Sequence, residues 1–146
     1  MKTVAIVGNH RETHYLVPWD NPDIEIWAIN EPGIQRQRFD VLFEIHLSEY
    51  LGFPEYLEWL KNNKTIPVYM LEHHDDIPMS IPFPLKESIE LTKGILQGMD
   101  ELKPLEFFTS TVPALLARAI LQNLPKIDIY GVELKDNREY RGQREC

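Results

Sequence analysis

Val4-Ala5-Ile6-Val7-Gly8-Asn9-His10 is the stretch that decides the fold, because four apolar residues run straight into a glycine and a polar pair. A run this short and stopped by a turn signal reads as a buried strand. The arrangement recurs along the chain. Ile24-Glu25-Ile26-Trp27-Ala28-Ile29 runs into Asn30-Glu31, and Val41-Leu42-Phe43 into Glu44-Ile45-His46. Val68-Tyr69-Met70-Leu71 runs into Glu72-His73-His74, and Ile127-Asp128-Ile129-Tyr130 into Gly131-Val132-Glu133. If these strands lie parallel, their carboxyl ends share one edge, which is where open α/β sheets bind ligands. A first strand at 2–8 fits the central strand that begins a doubly wound sheet.

The segments between the strands are read from their punctuation. Pro18 and Pro22 leave room for only a short helix between Arg11 and Asp23. The second strand, about 24–29, meets the turn signal Pro32-Gly33, and a third strand follows at 40–45. Trp27, inside a strand, is expected in the core. Pro54 suits the first turn of a helix whose face is Tyr56, Leu57 and Leu60, ending at Asn62-Asn63 and crossing to a fourth strand at 66–71. Residues 75–106, with four prolines, are the least regular, with one helix at 85–99; they read as a lid over the site or as a surface insertion. Val112, Leu115, Leu116, Ala119 and Ile120 recur with helical spacing after Thr109-Ser110-Thr111, which predicts a helix with that apolar face and a fifth strand at 126–132. The polar residues 135–145 read as a tail or a flap. The expected architecture is α/β: a Rossmann-like three-layer sandwich with a mostly parallel sheet of about five strands, in a single domain 1–146.

Composition narrows the partners. A formal charge of −8 opposes attraction to a polyanion, so nucleic acid is not expected, and the best basic patch, Arg36 with Arg38, is small. No apolar stretch reaches the roughly 20 residues of a membrane span, and no signal peptide is visible, so a cytoplasmic location is expected. The single cysteine, Cys146, has no partner for an intramolecular disulfide and reads as an inert thiol.

Gly8-Asn9-His10 lacks the glycines of a dinucleotide fingerprint and the lysine of a P-loop. A tight turn remains, in which Gly8 allows close backbone approach and Asn9 offers both a donor and an acceptor, to a ligand or to the fold itself. Asn30 and Glu31 end the second strand, where a carboxylate can accept ribose hydroxyls. His46, after the third strand, is the candidate general acid or base, with Glu44, Glu72, Asp75 and Asp76 among the carboxylates near the histidines. Ser110 and Thr111 open a helix whose first amides suit phosphate, or simply cap it. Glu133, after the last strand, completes the candidate ligand-binding set. No metal-ligand motif of the HExxH or paired CxxC kind is present, and no metal ligand is assigned.

Ala5-Ile6-Val7-Gly8-Asn9, Ile29-Asn30, Phe108-Thr109-Ser110 before a helix, and Ile129-Tyr130-Gly131-Val132-Glu133-Leu134 form a set of four pieces. Together they resemble the family 42 sialyltransferases and the 6-hydroxymethylpterin pyrophosphokinase-like proteins. The chain is also similar to small proteins of tailed phages that carry a Trp-Ala-Ile-Asn-Glu segment, here residues 27–31. The resemblance implies a Rossmann-like sheet and a nucleotide held around Gly8-Asn9 and Asn30. Sialyltransferases are longer, with an acceptor-binding region, so nucleotide binding rather than sialyl transfer is carried over.

The expected function is binding of a nucleotide or nucleotide-activated metabolite, with transfer or cleavage at its phosphate linkage. A divalent ion such as magnesium would accompany the nucleotide, because few Arg or Lys stand near the proposed edge. Two alternatives stay open. One is a non-catalytic phage factor that sequesters a nucleotide or binds a host protein; the other is a metal-dependent hydrolase built on His10, His14, His46 and His73.

Overall fold

The computed structural model describes residues 3–29, 38–45, 54–95 and 111–132. In chain order these form β1 (Thr3–Val7), a 3-10 helix (Arg11–Leu16), β2 (Ile24–Ile29), β3 (Val41–Glu44), α1 (Pro54–Asn62), β4 (Val68–Met70) and β5 (Ser80–Pro82). Then come α2 (Leu85–Ile95), α3 (Thr111–Leu121) and β6 (Lys126–Tyr130). The strands make one six-stranded sheet in the order β5-β4-β3-β2-β1-β6, and every pairing is parallel. The chain therefore builds outward from β1 to β5, then crosses back to lay β6 on the other side of β1. This is an α/β Rossmann-like fold. No helix among the described residues is long and apolar enough to cross a membrane.

Strand alternation divides the core between two faces. Val4 and Ile6 share one face with Trp27, Ile29, Val41 and Phe43, packed against Ala114, Leu115 and Ala119 of α3. The opposite face carries Ala5, Val7 and Ile26 against Val17, and Ala28, Leu42, Val68 and Met70 against Tyr56 and Leu60 of α1. Both sheet faces are covered, which is why the strands read as nearly continuous apolar runs. Trp27 is in the core as expected, its ring 5.1 Å from that of Phe43 and its indole N–H donating to Glu25 Oε1 at 3.1 Å.

Two features depart from the sequence expectation, and the connection between β4 and β5 adds to it. The sheet has a sixth strand, β5, formed by Ser80-Ile81-Pro82 within the segment read as irregular. It is too short for a periodicity, and its proline is tolerated because the strand lies at the sheet edge. Residues 71–79 join the parallel β4 and β5 without a helix; instead Ile77 fills the core beneath α1. Finally, α3 buries Pro113, Ala114, Leu115, Ala117 and Ala119, while Ile120, expected on the core face, is exposed. Its alanines and proline let the helix sit close to the sheet and to α2, so more than one stripe is covered.

The start of β2 and β3 explains Arg38. Its guanidinium pairs with Asp40 through Nε at 3.2 Å and Nη2 at 2.7 Å. It also donates to the carbonyls of Trp19, Asn21 and Ile24, while Asp40 accepts the Ile26 amide at 2.8 Å. Arg38 is a neutralised staple, not a surface offered to phosphates. Arg36 lies outside the described residues.

Candidate functional site

The succession of strands reverses at β1, with β2 on one side and β6 on the other. In open α/β sheets the crevice at the carboxyl ends of such a pair is the usual ligand position. Gly8, Asn9 and His10 leave β1 there, facing Gly131 and Val132 after β6.

Interlocked backbones fix this edge. The Gly8 N–H donates to the Tyr130 carbonyl at 2.8 Å and the His10 N–H to the Gly131 carbonyl at 2.9 Å. Thr13 Oγ1 accepts the Gly131 N–H at 2.7 Å, and His14 Nε2–H donates to the Gly8 carbonyl at 2.9 Å. That last bond places a proton on Nε2 of His14. A Cβ on Gly8 would lie 2.2 Å from the Gly131 carbonyl oxygen, and Gly131 itself has φ +64. The close approach that Gly8 allows is thus used by the fold's own backbone. Asn9 is exposed and His10 half-exposed, standing on this locked turn.

Next along the edge, Glu44 ends β3 at 2% exposure and accepts the Tyr56 hydroxyl at 2.8 Å. The spacing in α1 marks Tyr56 as a core-face residue, and its hydroxyl is the polar handle that spacing alone does not reveal. Thr111, the first residue of α3, is buried. Asn30, Glu31, His46, Ser110 and Glu133 lie outside the described residues.

The histidines at the two ends of the described sheet do not converge. His14 is committed to Gly8 at the β1–β6 edge. His73 and His74, expected at the carboxyl end of β4, instead bind Ser80 at the start of β5, across from Val68, the first residue of β4. Three strand spacings separate β4 from β1, on the order of 14 Å. Among the described residues no group of three or more His, Cys, Asp or Glu could hold a metal ion.

Ser80, His73 and Asp75 have the composition of a nucleophile triad but not its wiring. His73 Nδ1 lies 3.1 Å from the Ser80 carbonyl oxygen and 2.9 Å from Oγ, so Nδ1–H is the donor to both. Ser80 Oγ also accepts the His74 N–H at 3.0 Å and donates to the His74 carbonyl at 3.1 Å. The hydroxyl proton points away from the imidazole, and Ser80 is buried. An activated serine needs the opposite on both counts. The cluster instead fixes the β4–β5 loop.

No family model, no curated protein and no solved structure matches this chain.

Proposed function

We propose that the chain binds a nucleotide or a nucleotide-linked metabolite at the β1–β6 edge and promotes transfer or cleavage at its phosphate linkage. The observation that carries this reading is the reversal of strand order at β1, with exposed Asn9 and half-exposed His10 on a backbone that four hydrogen bonds hold rigid. A preformed site loses little entropy on binding. Asn9 supplies a donor and an acceptor for a base or ribose. His10 lies one residue on and can meet a phosphate oxygen.

In sequence, Asn30 and Glu31 directly follow β2, and His46 follows β3 by two residues; they are assigned to the nucleoside and to acid–base work. Ser110, Thr111 and the first amides of α3 are assigned to phosphate. Glu133 is kept as a further contact. A divalent ion carried by the nucleotide would neutralise phosphate charge.

The test is a thermal-shift panel of nucleotides, nucleotide sugars, S-adenosylmethionine and NAD, each with and without magnesium, followed by product analysis of any hit. A ligand at about 100 times its Kd adds about 2.7 kcal/mol, which raises Tm by about 5–10 °C for a domain of this size. Asn9→Ala is expected to remove most of that rise. A panel without any shift overturns the reading. A hit recovered unchanged after denaturation retains nucleotide binding and overturns turnover.

A further inference from the structure

We infer that two copies of this chain pair through the outer edge of β6 to form a two-fold dimer. The sheet has two edge strands, and they differ in kind. β5 is three residues long and ends in Pro82, which cannot donate to a ladder. β6 is five residues long and has no proline. The Tyr130 carbonyl accepts the Gly8 N–H, so by strand alternation Lys126, Asp128 and Tyr130 direct their backbone groups to β1. Ile127 and Ile129 direct theirs outward. Among the described residues no strand pairs with that outer side.

Exposed apolar side chains gather on and around this strand. Among the described residues the exposed large hydrophobics are Tyr15, Leu16, Ile81, Ile120 and Ile129. All but Ile81 lie on β6, on the 3-10 helix packed against it, or in the last turn of α3 just before it. α3 packs over β1, β2 and β3, leaving Ile129 at 46% exposure. An open, partly apolar edge strand is a template for another strand.

Charge selects the occupant. Lys126 and Asp128 lie on one face of β6, joined at 2.9 Å. In an antiparallel pairing of β6 with itself centred on Ile127, Lys126 of each copy stands opposite Asp128 of the other, and the two Ile127 residues exchange both backbone bonds. Centring on Asp128 would oppose two carboxylates, which is destabilising. Centring on Ile129 would set Ile127 opposite Gly131, whose N–H and C=O are held by Thr13 and His10. The Ile127 register is self-complementary, as an isologous two-fold interface requires.

Sedimentation velocity of the full chain over a concentration series tests this, with hydrogen exchange as a site-specific readout. The expected mass is twice 17.1 kDa, with the Ile127 amide exchanging more slowly as concentration rises. Asp128→Lys sets lysines opposite one another and is expected to weaken dimerisation at least tenfold. The charge-swapped pair Lys126→Asp with Asp128→Lys restores the facing charges and is expected to recover the dimer. A chain of 17.1 kDa at every concentration overturns the inference. So does a dimer indifferent to Asp128→Lys, or one that the swap fails to restore while its melting temperature is unchanged.

Discussion

Gly8→Ala tests the interlock at the β1–β6 edge, because Gly8 does not occupy the left-handed region and alanine adds only a contact. The new Cβ would sit 2.2 Å from the Gly131 carbonyl oxygen, 2.8 Å from its carbonyl carbon and 2.9 Å from Val132 Cγ2. Ordinary contact begins near 3.4 Å, so the two backbones must separate by about 1 Å, an overpacking cost of about 1–3 kcal/mol. The bonds from Gly8 to Tyr130 and from His10 to Gly131, 2.8 and 2.9 Å long, span the same gap and would stretch beyond useful length. At about 1 kcal/mol each they bring the total to about 3–5 kcal/mol. Urea denaturation should show a lower midpoint at unchanged m, and Tm should fall by about 10 °C. Gly131→Ala carries an additional left-handed backbone cost of about 1–2 kcal/mol, and the double variant should cost less than the sum because both open one contact. A Gly8→Ala protein within about 0.5 kcal/mol of the parent would refute the interlock.

Two further outcomes follow from the staples around the sheet. Arg38→Ala strips Asp40 of its guanidinium and leaves three carbonyls without their donor, so urea denaturation should report a loss of about 2 kcal/mol; Arg38→Lys should recover less than half, because an ammonium cannot fork. The hydrogen bond and charge of Lys61, 2.7 Å from Asp76, hold that carboxyl below its ordinary value of 3.8. A depressed carboxylate contributes stability that is present above the unfolded value and lost as pH falls through the folded one. Carboxyl NMR should therefore find Asp76 titrating below 3.8, and Lys61→Met should move it back up toward that value; an unchanged midpoint would remove the ion pair.

All the strands but β5, and α3 with them, were legible because their signals are local. Val4-Ala5-Ile6-Val7 and Ile26-Trp27-Ala28-Ile29 are buried on both faces and read as apolar runs. Thr111–Leu121 shows a helical period, although its buried face is broader than the period implies. The edge on which the candidate site lies was legible too, since parallel strands put all their carboxyl ends together. Less legible was what each polar residue does there. His14 and His73 look alike as isolated imidazoles, yet one holds the Gly8 carbonyl and the other holds Ser80 at the opposite end of the sheet.

The sequence by itself determined that this is a parallel α/β chain with glycine at the end of its first strand, because apolar runs, prolines and turn residues act within a few positions of themselves. Only the tertiary structure decided what that glycine is for: its neighbour is Gly131, far along the chain, whose carbonyl occupies the space a side chain would need. The same holds for β5, a strand only because β4 lies beside it with Val68 across from Ser80. It holds also for β6, which lies beside β1 only because the chain crosses back past it. Pairing partners and close approaches are set by packing between distant segments, and no local pattern records them.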